Sequence, residues 1–409
     1  MNQGNGKLPA GWRTGKLGDL IVEAATGFAC GQRANDGAIQ LRMNNVTRRG
    51  ELDWSSFIRV PVEKAMLDDY SLRDGDVVFN NTNSTEMVGK TALFNNLKEP
   101  VVFSNHFTRL RTKPDALAPD FLALWLHAQW QAGLFARICD RWIGQSAVQR
   151  NKLLALEILL PPLEEQRRIA ARLREQFSIL AEARGALEVQ LAAAESLPAA
   201  NLRAVFEGKE AEHWPRRHIE DFAETASGTT PPRGNREYYQ GRIPWVKTGE
   251  LKDSVIEDTE EHVSEAALRD KSLKLLPEKT LLIAMYGQGQ TRGRTGLLGI
   301  PATTNQACFA ILPNRTFNPQ FLQFWFQFSY QRLRNETERR GGNQPNLNGL
   351  ILNRLSVPLP PIEQQDVIAA KLDAELNIVA ELQGALRTKL AELEKIPAAL
   401  MRAAFQSPS

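Results

Sequence analysis

Cysteine is nearly absent: Cys30, Cys139 and Cys308 are the only three in 409 residues. An odd, widely spaced set with no CxxC pair excludes a disulfide framework and a structural zinc site, and predicts a reduced, cytoplasmic setting. The five histidines form no HExxH or similar pair, so no metal is expected. No apolar run approaches the roughly 18–20 residues of a membrane span. The polar, glycine-rich start from Met1 to Trp12 lacks the apolar core of a signal peptide. Charge of one sign is also lacking: 50 Lys+Arg against 47 Asp+Glu leave a net +3. That excludes an acidic disordered chain and a polycation, but not a local basic face.

Catalytic signatures are missing as well. There is no GxxxxGK[ST] phosphate loop, and Gly287-Gln-Gly289 is a lone fragment of a dinucleotide fingerprint. Pro161-Pro162 sits between leucines, so no Asn/Asp-Pro-Pro-aromatic motif of an amino-methyltransferase exists. No paired Asp/Glu-x-Lys nuclease set stands out, and the carboxylates gather on helical stretches where a solvated face is their ordinary role. No catalytic residue is therefore predicted.

What is present is a duplication. Leu160–Gly208 and Leu359–Ser407 align without a gap at an offset of 199, with 24 of 49 positions identical. Looser parallels precede them: Gly89-Lys90-Thr91 with Gly293-Arg294-Thr295, Asn105 with Asn305, Phe121-Leu122 and Trp125 with Phe321-Leu322 and Trp325. Each half therefore reads as a globular region followed by a long helix. The globular parts have diverged and the helices have not.

Each helical copy opens on Pro-Pro followed by acid, tolerated and favoured at a helix start. Ile169, Leu173, Leu180, Leu187 and Leu191, and in the second copy Ile368, Leu372, Leu376, Val379, Leu386 and Leu390, make an amphipathic coiled-coil seam. Pro198 and Pro397 are expected to kink or end these helices, leaving a short second helix with Phe206 or Phe405. Each stripe needs a partner. The expected partner is its own copy, giving an antiparallel pair and a pseudo-twofold molecule. Short runs such as Asp76–Phe79, Thr91–Phe94, Val101–Phe103, Thr280–Ala284 and Ala307–Leu312 read as strands, and Pro119–Arg137 and Pro319–Arg334 as helices. The fold class predicted is mixed α/β: two globular domains separated by a long antiparallel two-helix coiled coil. The boundaries expected are 1–158 and 211–357 for the heads, and 159–210 and 358–409 for the helical segments.

Polar loops sparse in acid recur at matching places: Phe79–Ser84, Tyr286–Arg294 and Gly341–Asn346. Asn and Gln can bridge adenine, Arg can bridge guanine, and glycine admits close backbone approach to phosphate. Leu41–Val46, Phe79–Ser84 with Val88–Thr91, Ile243–Gly249, Thr304–Cys308, Asn343–Leu347 and the doubled Leu-Pro-Pro-[Leu/Ile]-Glu-x-Gln together carry a pattern. Over essentially its full length the chain resembles the specificity subunit of type I restriction–modification enzymes.

The resemblance implies two target recognition domains, each reading half of a bipartite site in double-stranded DNA. It implies helices that separate them and dock two modification (methyltransferase) subunits, two restriction (translocase/nuclease) subunits then joining. It also implies that S-adenosylmethionine, ATP and magnesium belong to those partners and that this chain binds none. Loop position and side-chain type select the expected DNA-binding residues. They are Arg42, Asn44, Asn81, Asn83, Ser84, Lys90 and Asn105 in the first head. In the second they are Lys247, Thr248, Gln288, Gln290, Arg292, Arg294, Asn305 and Gln344. The competing expectation is a free-standing sequence-specific DNA-binding regulator or architectural protein.

Overall fold

The computed structural model describes residues 11–95, 97–287, 290–339 and 347–405. The chain divides into two compact units. The first holds the chain up to Leu187 and again from Thr388; the second is Glu188–Arg387. Both are mixed α and β.

In the first unit, Ile21–Thr26, Phe107–Thr112, Val77–Asn80 and Thr91–Leu93 form an antiparallel sheet in that order. Alternation along Val77–Asn80 assigns its two faces. Val77 and Phe79 pack with Phe121, Leu122 and Trp125 of helix Pro119–Gln131. Val78 joins Leu41, Phe94 and Phe103 on the other side. A second layer orders Ile58–Val60, Ala38–Leu41 and Val101–Phe103, the last pair parallel. Gly133, at φ 73°, ends the predicted helix early, and Leu134–Ile138 follows as a separate helix.

The second unit repeats the plan. Thr225–Ser227, Cys308–Ile311, Leu281–Ala284, Thr295–Leu298 and Ser254–Ile256 make a five-stranded sheet. A smaller layer again contains a parallel pair, Ile243–Val246 with Thr303–Thr304. Arg13–Lys16 pairs with Glu157–Leu160, and Arg216–His218 with Ser356–Pro358, at the same place in each unit.

The long helices run Leu163–Phe206 and Ile362–Leu393, followed by Ile396–Phe405. Within each unit the stretches they contribute are antiparallel. In the first, Arg184 pairs with Glu394 at 3.6 Å, and Phe405, further along, meets Phe121. In the second, Arg387 pairs with Glu195 at 2.8 Å, while Leu202 packs with Leu372.

Pro198 neither ends nor restarts its helix, which continues to Phe206. Proline removes one N–H and so frees the carbonyl four residues back. That carbonyl belongs to Ala194, and it accepts a bond from Gln383 Nε2 at 2.9 Å. In the second copy the helix does stop at Leu393, and Pro397 falls in the first turn of a new helix, where a missing N–H costs nothing. Gln383→Leu is expected to leave the Ala194 carbonyl unpaired. The cost should be about 1–2 kcal/mol, read as faster hydrogen exchange confined to residues around 194–200.

Candidate nucleic-acid interface

In each unit the parallel strand pair brings the predicted segments to one end of the sheet. In the first, Ser104 N donates to Leu41 O at 3.1 Å, which sets Arg42 beside Asn105 just past the strand ends. The next loop joins them through Asn81 N, which donates to His106 O at 2.9 Å, and Gly89 N, which donates to Asn80 O at 2.8 Å. Gly89 sits at φ 95°, and a Cβ there would lie 2.3 Å from the Phe135 ring, so only glycine allows this return. Arg42, Asn44, Ser84 and Asn105 are exposed and Asn83 half-buried. Asn83 Nδ2 donates to Asn80 Oδ1 at 2.7 Å, and its own Oδ1 accepts from Ser84 N at 2.8 Å.

Two predicted residues of this head do not face outward. Asn81 is buried; its Nδ2 donates to Thr108 Oγ1 at 3.1 Å and its Oδ1 accepts from Thr82 Oγ1 at 2.7 Å. The Lys90 ammonium is also buried and donates to the carbonyls of Met43, at 3.2 Å, and of Val46. Burial, with Arg48 nearby, holds it below the usual lysine range. Lys90 therefore ties the 42–46 turn to the 79–91 loop instead of reaching for phosphate.

The second unit assembles the same end. Asn305 N donates to Val246 O at 3.0 Å, beside Lys247 and Thr248, which are both half-buried. Gly293 N donates to Ala284 O at 2.9 Å and Ala284 N donates to Arg294 O at 2.9 Å, which closes the loop that starts at Met285. Gln290 is exposed, and its carbonyl accepts from Tyr330 Oη at 2.6 Å. Asn305 Oδ1 accepts from Ala307 N at 3.1 Å. Gln288 and Gln344 lie outside the described residues.

Three cations here depart from expectation. Arg292 is buried. Arg294 is ion-paired with Asp253 and lies 4.9 Å over the Tyr330 ring. Lys247 Nζ bonds Glu260 at 2.8 Å and Glu261 at 3.0 Å, which raises its pKa. Glu261 is also held by Arg233, at 2.5 Å, and falls below the usual carboxylate range. The loops are sparse in acid along the chain, but Asp253, Glu260 and Glu261 supply it from neighbouring segments.

One element the sequence reading passed over lies at this end of the first unit. Asp140–Trp142 and Gln145–Ala147 form a hairpin, and its second strand pairs with Thr82–Asn83. The signal was present as Gly144 between two short alternating runs. Among the described residues, no group of His, Cys, Asp and Glu could hold a metal, and no helix is long and apolar enough to cross a membrane.

The type I restriction modification DNA specificity domain matches this chain twice, at residues 9–186 and 211–392. The MjaX type I restriction enzyme specificity subunit of Methanocaldococcus jannaschii is 22% identical over 382 residues, 90% of this chain and 88% of that one. The MjaIX specificity subunit of the same organism is 29% identical over 171 residues, 40% of this chain and 38% of that one. Among solved structures, the HsdS subunit from Thermoanaerobacter tengcongensis matches with a TM-score of 0.68 at 21% identity, covering 99% of both chains. A chain solved in work on assembly of the type I R-M system matches at 0.70 and 21% identity, covering 98% of both. At that identity the structures establish a shared fold, while the two domain matches span most of the sequence. The chain belongs to the type I restriction modification DNA specificity domain family and carries that domain in two copies.

Proposed function

We propose that this chain is the non-catalytic, DNA-reading subunit of a type I restriction–modification complex. Each unit uses the surface at its parallel strand ends to read one half of a bipartite, asymmetric duplex site. The first reads with Arg42, Asn44, Asn83, Ser84 and Asn105. The second reads with Thr248, Gln290 and Asn305, while Lys247 and Arg294, held by carboxylates, shape the loops. The heads correspond to residues 1–158 and 211–357, and the helical segments to 159–210 and 358–409. The helices set the separation of the half-sites and dock two modification subunits, which two restriction subunits join. S-adenosylmethionine, ATP and magnesium are carried by those partners, in the cytoplasm.

The observation that carries this reading is an exposed identity. Ile179 and Ile378 occupy the same place in the two helical copies and are 58% and 64% exposed. A single exposed isoleucine is ordinary. The same one at the same place in both copies is not maintained by burial, and two copies of one partner would account for it. Heads that read different half-sites must differ, and helices that bind the same subunit twice must agree. The test is co-expression with the modification subunit and mapping of methylated adenines. A bipartite asymmetric motif is expected, and exchanging residues 1–155 for another head should change one half only. Methylation by this chain alone, or specific binding that needs no partner, would overturn the proposal.

A further inference from the structure

The hairpin 140–147 exposes what soluble proteins rarely place at a tip. Trp142 is 58% exposed and Ile143 fully so, and no atom approaches the space beside Gly144, at φ 78°. The base of the hairpin is paired on both sides. Asp140 pairs with Ala147 and Arg141 with Ser146, and Ser146 in turn pairs with Asn83. The Ser146 and Thr85 hydroxyls are 2.7 Å apart, and Val148 N donates to Asn81 O at 2.9 Å. The tip is thus fixed to the loop that carries Asn83 and Ser84.

Its surroundings are cationic. Between residues 137 and 152 the sequence carries Arg137, Arg141, Arg150 and Lys152 against one acid, Asp140, with which Lys152 pairs at 2.5 Å. Among the described residues, the other three donate to uncharged oxygens: the carbonyls of Ala132 and Ala136, and Thr26 Oγ1. An apolar tip on a hairpin whose own strand and flanking helices carry arginines bonded to uncharged oxygens suits a polyanion with an apolar recess. Three paired residues at about 3.3 Å each extend about 10 Å. The major groove is about 8.5 Å deep and about 12 Å wide, and it admits a two-stranded ribbon. The apolar group presented on its floor is the thymine 5-methyl.

We infer that this hairpin enters the major groove of the half-site read by the first unit and packs Trp142 and Ile143 on a thymine methyl. The inference rests on the DNA-reading surface proposed above. The test uses the chain in complex with its modification subunit and a duplex carrying the mapped motif. Thymines in the first-unit half-site are replaced one at a time by deoxyuridine. Loss of one methyl is expected to weaken wild-type binding about four-fold at a single position. Trp142→Ala and Ile143→Ala should each bind the thymine duplex about ten-fold more weakly and lose that discrimination, with an unchanged salt dependence. Trp142→Phe should restore most of it, and Arg141→Ala should lower the salt slope by about 1.

A flat deoxyuridine scan, or wild-type binding by the alanine variants, overturns the inference. So does loss of the modification subunit with DNA affinity intact, which would make the tip a protein contact. Arg42→Ala and Asn83→Ala separate the two levels. If they change the methylated motif while the scan is flat, only the hairpin inference fails. If they change nothing, the reading surface of the first unit fails.

Discussion

Gln166→Leu is expected to destabilise the first unit by about 4 kcal/mol. The side chain is 1% exposed. Its Oε1 accepts from Ala118 N at 2.9 Å, and its Nε2 donates to Pro161 O at 3.0 Å and Ala116 O at 3.1 Å. It therefore joins the end of strand Glu157–Leu160, the first turn of the long helix and the entry to helix Pro119–Gln131. Leucine keeps the volume and removes all three bonds, leaving the Ala118 N–H and the Pro161 carbonyl buried without this partner and the half-buried Ala116 carbonyl short of one. Each such loss costs about 1–3 kcal/mol. Gln365 repeats the arrangement, with Asn318 N at 2.9 Å and Pro360 O at 2.7 Å. Gln365→Leu should therefore cost the second unit a similar amount. Glu164→Ala, two residues from Gln166 and only a dipole contact at the helix start, should cost about 0.5 kcal/mol. Denaturant unfolding with segment-resolved hydrogen exchange measures both. A Gln166→Leu chain within 1 kcal/mol of the parent would show that the clamp is not what preserves this glutamine in both copies.

That glutamine illustrates what could be read from the chain alone. Repetition at an offset of 199 exposed the duplication, the helices and the Pro-Pro-x-Glu-x-Gln start, because these signals are local and periodic. The role of the glutamine was not legible, since its partners near Ala116 and Thr316 lie about fifty residues upstream. Pro198 failed for the same reason. Locally it reads as a breaker, and the group that satisfies the freed carbonyl, Gln383, is 185 positions away.

The candidate interface divides along the same line. Loop position identified Arg42, Asn44, Ser84 and Gln290 as outward-facing, because Asn, Gly and Ser mark turns whatever lies around them. Charge state was not legible. Lys90 faces two carbonyls from a segment 44 and 47 residues earlier, and Arg294 meets Asp253, 41 residues earlier. A cation's availability depends on what the fold places against it, and composition along one loop carries none of that. The sheet of the first unit shows the same dependence. Arg109 and Arg111 share Glu23, 86 and 88 residues upstream, and Asp76 completes the cluster.

Acidification should destabilise the first unit by about 3 kcal/mol between pH 6.5 and 4, before most carboxylates titrate. His127 is 2% exposed, its ring 5.2 Å from that of Trp130, with Gln131 Nε2 at 3.3 Å from Nε2. Burial, assisted by the Lys90 charge, lowers its pKa from 6.5 to about 4. The folded state thus holds this imidazole neutral, while the unfolded chain protonates near 6.5. Stability is therefore complete above pH 6.5 and is lost as pH falls towards 4, at about 1.4 kcal/mol per unit. Below pH 4 both states are protonated and this loss stops. His106, shifted down by burial and by Arg42, acts in the same direction. The second unit provides the control within the same chain. Gln327 stands where the Trp125–Trp325 parallel places the counterpart of His127, and its amide donates to Asp253 O at 3.3 Å without titrating. Hydrogen exchange in helix Pro119–Gln131 should accelerate from pH 7 to 4.5, after correction for intrinsic rates, while helix Pro319–Arg339 holds. His127→Gln should remove most of the difference. Equal acid sensitivity of the two helices in the parent chain, or an unchanged profile in the variant, would place the acid-labile group elsewhere.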